Sequence, residues 1–138
     1  MTAPAPMLPI QQALSARLSG DEDLQALITG VFDFVPEKQA YPFVVIGEAT
    51  ETPDNRHGGF GRQTSVTLHV WSQYRGYTQA LQIGAIITGL LDHQPLPIAG
   101  LDWISTRFEF SQTLTDPEPP GDIRHLVLRY RITTEQSS

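Results

Sequence analysis

The sequence predicts an α+β domain: an antiparallel sheet of about four to five strands, helices packed on one face, and a long β-hairpin arm. Three observations predict it. Apolar and polar residues alternate over Gln63–Ser72, Asp102–Leu114 and Ile123–Thr133, the period of a half-buried strand. Helical periodicity is confined to the N-terminal region and to Gly76–Leu91. The resulting order, α-α-β-β-β-α-β-β, segregates helices from a run of strands and so favours one helix layer over one antiparallel sheet. A chain of 138 residues, 40% hydrophobic and 17% charged, buries a core without cross-links. Residues 1–138 read as a single domain, with 1–8 as an N-terminal arm and 134–138 as a frayed tail; no repeat or linker interrupts it.

From Pro9, a residue suited to a first helical turn, Ile10, Leu14, Arg17 and Leu18 share one face. Gly20 ends that helix. Asp21 or Ser19 caps a second, short one, with Glu22 and Asp23 in its first turn and Leu24, Leu27 and Ile28 turned inward. "VFDFV", Val31–Val35, reads as a short strand closed by Pro36. After Tyr41-Pro42, "FVVIGEAT" is apolar on both faces at its start, which suggests a central strand; Gly47 marks a bulge or a close backbone approach. The strand over Gln63–Ser72 turns Val66, Leu68 and Val70 one way and Ser65, Thr67, His69 and Trp71 the other.

Between these two strands lies "ETPDNRHGGFGR", a connection longer than hairpin closure requires. It is the anomaly of the sequence. On Gly76–Leu91, Ala80, Ile83, Gly84, Ile87 and Leu91 form one stripe, and Gly84 lets the helix approach a sheet closely. Leu81 and Ile86 flank the stripe; they either widen the buried face or meet a neighbouring molecule. "DHQPLPIAG" reads as a loop. In the strand after it, Ile104, Thr106, Phe108 and Phe110 share a face opposite Trp103, Ser105, Arg107 and Glu109. The last strand follows the proline-rich turn "TDPEPPGD" and points Leu126, Leu128, Tyr130 and Ile132 inward, with His125, Val127, Arg129 and Arg131 outward.

Chemistry is hard to find. Without cysteine there is neither a disulfide nor a thiolate metal site. "GGFGR" lacks the lysine of a phosphate-binding loop and leads into a strand rather than a helix. His57, His69, His93 and His125 fall in separate elements without ligand spacing, and no G-x-S-x-G elbow presents a serine. Glu48 and Glu51 read as a solvated acidic edge. No catalytic, cofactor-binding or metal-ligating residue is therefore expected, and no cofactor. A net charge of −6 argues against general attraction to nucleic acid or anionic lipid. Arg107, Arg129 and Arg131 with Trp103 still resemble a single-strand binding platform, so a small nucleic-acid-binding α+β domain stays open as an alternative. The longest apolar runs, such as "FVVI", are too short to span a bilayer, and "MTAPAPMLPI" lacks the basic and apolar regions of a secretory signal. Synthesis in the cytoplasm and no membrane partner are expected.

One set of residues carries a resemblance. Pro42 before an apolar strand, Gly47-Glu48, Thr52-Pro53-Asp54, Trp71-Ser72, Gly76 with Ala80, and "RHLVLRYR" over Arg124–Arg131 are together similar to the phage tail terminator family, also called tail completion or tail-to-head joining proteins. The resemblance spans nearly the whole chain from residue 8. It implies a non-enzymatic virion protein that forms a hexameric ring on the head-proximal end of a tail tube. There it stops tube polymerisation and docks to the head connector, in an infectious phage, a gene transfer particle or a domesticated tail. The implied partners are further copies of itself, the tail tube protein and a head completion or connector protein, with DNA only passing through; a head-completion or stopper protein is the neighbouring alternative. In this light Glu51, Asp54, Arg56, His57, Gly58, Gly59, Phe60, Gly61 and Arg62 form an assembly arm, its glycines adaptable and Phe60 its apolar anchor. Leu81, Ile86, Arg107, Arg129 and Arg131 are expected at subunit contacts, where arginine is favoured.

Overall fold

The computed structural model describes residues 3–56, 58–117 and 121–137. Helix α1 runs Met7–Ser19, starting two residues before Pro9, which falls within the first turn where backbone N–H groups have no helical partner anyway. The N-terminal segment is thus already helical at Met7 and Leu8. Ile10, Leu14 and Leu18 are buried, while Arg17 on their flank donates to the carbonyls of Leu90 (2.9 Å) and Pro95 (2.7 Å). Asp21 caps α2, Glu22–Gln25, accepting from Leu24 N at 2.9 Å. Leu24 and Ile28 enter the core, but Leu27, expected inward, is exposed. A helix of one turn does not hold all three on one face.

The sheet has five strands in the order β1-β2-β3-β5-β4. Strand β1 is only Val31–Phe32, shorter than the expected Val31–Val35, and it pairs parallel to β2, Phe43–Pro53. The sheet is therefore mixed rather than wholly antiparallel. Residues 33–42 are long enough to return the chain to the start of the sheet, so no tight hairpin dictates an antiparallel pair. Thr29 fixes the return, its N–H donating to Pro42 O at 2.8 Å and its hydroxyl to Ala40 O at 2.8 Å. All other pairs are antiparallel: β2 with β3 (Gly61–Gln73), β3 with β5 (Ile123–Gln136), and β5 with β4 (Leu101–Thr115).

Alternation places side chains as expected on β3 and β5: Val66, Leu68, Val70, Leu126, Leu128, Tyr130 and Ile132 all lie in the core. Helix α3, Thr78–Leu91, covers them with Ala80, Ile83, Ile87 and Leu91. Gly84 sits so close that an added Cβ would lie 2.5 Å from Leu126 Cδ2. The Tyr130 hydroxyl shares a 2.8 Å hydrogen bond with Thr88, and burial pushes its pKa up to about 12.

Three expectations need correction. The loop after α3 buries Leu96 and Ile98 and so belongs to the core. Strand β5 continues through Gln136, with Thr134 almost wholly buried, so residues 134–136 are strand rather than frayed tail. On β4, register shifts between Trp103 and Ser105 and between Phe108 and Phe110 break the simple alternation. Trp103, Thr106 and Phe108 oppose Thr134, Ile132 and Tyr130 on the core side, whereas Phe110 opposes Arg129 on the outer side. Ile104 is left exposed. Beyond Arg107 every residue of β4 is exposed, because α3 lies over β3 and β5 and stops short of this edge.

Candidate functional site

The arm is largely sheet. Strands β2 and β3 pair through Pro53↔Arg62, so Glu51 and Arg62 stand on ladder positions and form an ion pair at 3.2 Å. Only residues 54–60 turn. Arg56 and Gly59 close that turn by reciprocal backbone bonds of 3.1 and 3.0 Å, and Gly58 takes the left-handed backbone that glycine favours (φ 88°). The tip is tied to the end of β5: Arg56 pairs with Glu135 at 2.5 Å and with Asp54 at 3.4 Å, while Phe60 N donates to Gln136 Oε1 at 3.0 Å. Gln136 N in turn donates to Phe60 O at 2.9 Å. Gly61 faces the Asp54 carbonyl so closely that a side chain would overlap it. His57 lies outside the described residues.

The outer sheet face, away from the helices, gathers what the sequence kept apart. Arg107 on β4 stands directly opposite Arg131 on β5, and Arg129 lies two residues along. Arg129 rests over the Phe110 ring, 5.0 Å from its centroid. Arg107 donates to its neighbour's carbonyl, Thr106 O, at 3.0 Å. Glu109 is engaged by Ser65 at 2.5 Å, and among the described residues no carboxylate lies within ion-pair distance of the three arginines.

Further along the same face, three strands contribute a hydrogen-bonded chain that sequence spacing did not reveal. His69 Nε2 lies 2.8 Å from Glu48 Oε1, and His69 Nδ1 lies 2.6 Å from His125 Nε2. An ionised Glu48 only accepts, so His69 donates from Nε2; its bare Nδ1 then accepts from His125 Nε2–H. Trp71 stacks on His125 at 3.9 Å. The Glu48 carboxyl is held below its usual range, first by a hydrogen bond from its own backbone and then by His69. His125 is pushed down, first by burial and then by the charge of His69. The signal missed was register: Trp71↔His125 and His69↔Val127 place the two rings diagonally across β3 and β5. Gly47 makes the room, since a Cβ there would come within 2.7 Å of the His69 ring. Among the described residues no three metal-binding side chains gather.

On the helix face an open groove of about 430 Å³ lies between α3 and the uncovered half of β4, lined by Leu81, Gly84, Ala85, Phe108, Leu126 and Leu128. Leu81 is exposed at its rim, whereas Ile86 packs against the core and only widens the buried face.

What the described residues bring together are contact surfaces: an anchored hairpin tip, an arginine row and an apolar groove beside an unpaired sheet edge. That is the profile of a small structural protein that works by association. A family model described as "Tail completion protein gp17" matches residues 12–135, and the chain belongs to this family of phage tail completion proteins. It is 26% identical to tail completion protein gp17 of Bacillus phage SPP1 over 126 residues, covering 90% of each chain. The solved structure of SPP1 gp17 superposes with a TM-score of 0.64 at 25% identity, covering 91% of this chain and 88% of that one. A chain from the virion of a native gene transfer agent particle has the same fold, with a TM-score of 0.85 at 22% identity over 95% of this chain and 98% of that one. The protein is thus a structural component of a phage-type tail.

Proposed function

We propose that this protein forms a ring on the head-proximal end of a tail tube, ends tube polymerisation there and joins the tail to the head connector. The family match over residues 12–135 carries this reading. The role is structural rather than catalytic. A closed ring of identical subunits requires two different, complementary patches on each copy. The exposed β4 edge, the arginine row and the tip at residues 54–60 are the parts assigned to contact, the tip toward a neighbouring subunit or the tube. Its ties to Glu135 and Gln136 hold the tip as a presented surface rather than a loose tether. DNA passes through the ring without being gripped, in keeping with a net charge of −6.

Electron microscopy of particles from a producer lacking the gene tests the reading. Filled heads without tails, beside headless or over-long tubes, are expected. Normal infectious particles would overturn it. In a complementation series, trimming residues 55–59 should abolish ring assembly, and unchanged particle yield would remove the tip from the proposed contact.

A further inference from the structure

The two edges of the sheet are opposite in character. At the β4 edge, Arg107, Arg129 and Arg131 have no carboxylate partner among the described residues, and Arg107 and Arg131 face each other directly. Like charges in a directly opposed pair weaken strand pairing unless a counter-charge arrives from outside. At the β1 edge, the segment Asp21–Glu37 carries five carboxylates, Asp21, Glu22, Asp23, Asp33 and Glu37, and no basic residue. The same contrast holds for shape. The β4 edge has the open groove between α3 and Phe108. Beside the β1 edge Phe34 projects with 82% of its surface exposed, an unusual state for a large aromatic side chain.

We propose that the β4 edge of one subunit receives the β1 edge of the next, with Phe34 seated in the groove beside Leu81 and the Asp21–Glu37 carboxylates facing Arg107, Arg129 and Arg131. The occupant is a second copy of this chain, because both halves of the contact are present on one molecule at opposite ends of one sheet. A fold cannot bring its own two edges together, but a neighbour placed head-to-tail does so, and repetition of that contact closes a ring. The groove has ample room for a phenyl ring, and its wall is aliphatic and aromatic. Charge steers the approach and fixes register, while Phe34 supplies the buried anchor. This inference rests on the ring reading above.

The absence of cysteine makes the test clean. Phe34→Cys and Leu81→Cys together, expressed in a deletion producer, should give an oxidant-dependent ladder of linked subunits in assembled particles. Each single variant alone should give none, and the two single variants co-expressed should give only dimers. Normal tails that contain the double variant yet show no cross-link overturn the interface and leave the ring intact. Normal tails formed with the gene deleted overturn the ring itself. As a second arm, Arg129→Glu with Arg131→Glu should lower particle titre at least about a hundredfold, and adding Asp33→Arg with Glu37→Arg should restore it to within about tenfold. Failure of that rescue, with salt-sensitive retention of duplex DNA by the unaltered protein, assigns the arginines to nucleic acid and overturns the proposal. All these positions are exposed, and retained far-UV circular dichroism with an unchanged Tm confirms that the variants fold.

Discussion

Gly61→Ala tests whether the hairpin arm is as firmly built as its geometry requires. Gly61 N accepts no freedom to move: it donates to Asn55 Oδ1 at 3.2 Å, while Gly61 O receives Asp54 N at 2.9 Å. A Cβ at this position would overlap the Asp54 carbonyl and lie 3.3 Å from the Thr134 carbonyl, both backbone atoms that cannot rotate aside as a side-chain tip would. Overpacking of this kind costs about 1–3 kcal/mol. Against it, removing a glycine from the unfolded chain contributes about 0.4–1 kcal/mol of stability. Steric cost wins, leaving a net loss of about 1–2 kcal/mol, or a fall in Tm of about 3–8 °C for a chain of this size. Gly76→Ala is the control, since nothing lies within 4 Å of its added Cβ, and it should be neutral or slightly stabilising. Thermal unfolding followed by circular dichroism gives the numbers, and hydrogen exchange at Asp54 and Gln136 locates the effect. A Gly61→Ala protein as stable as Gly76→Ala would refute the close approach.

Acidification should weaken the fold through two groups acting in the same direction. His125 and Glu48 both have lowered pKa values in the folded chain, so the unfolded chain binds more protons; stability is full above the ordinary histidine value of 6.5, declines first as His125 is protonated, and declines again below 4.5 as Glu48 is. Urea midpoints at pH 7.5 and 5.5 should differ for the wild type and differ less for His125→Asn; equal losses in both would exclude His125 as the cause. Tyr130→Phe should cost about 1 kcal/mol, the net worth of its bond to Thr88, as read from chemical denaturation. Leu68→Ala, at a fully buried centre of β3, should cost about 2–5 kcal/mol, whereas Leu81→Ala at the groove rim should stay within about 0.5 kcal/mol. Similar costs for the two leucines would mean that Leu81 is not free for a partner.

How far the chain was readable follows from how far each signal reaches. Alternation in Val66–Val70 and Leu126–Ile132 is local, because a strand buried on one face writes its period into every second residue, and both strands lie as that period requires. The α3 stripe and the close fit of Gly84 were legible for the same reason. Strand β4 was misread past Phe108 because a bulge inserts one residue and reverses the faces, and no residue type in "TRFEFSQ" marks it. The parallel pairing of β1 was hidden because two residues carry no period, and its direction is set by a long return segment.

The residues of the arm and the arginine row were visible as types, but their partners were not. Glu135 and Gln136, which hold the tip, looked like a tail, and His69 and His125 looked like unrelated surface histidines. Each of these contacts joins positions more than fifty residues apart in the chain, and only strand register brings them together. The sequence by itself determined the α+β class, the core faces of β3, β5 and α3, and the family, because all three rest on patterns carried along contiguous residues. Tertiary structure alone decided which arginines share a face, where β4 runs uncovered and that Phe34 stands opposite in the sheet to the groove that would receive it, because strand order and register are properties of the packed sheet and not of any one strand.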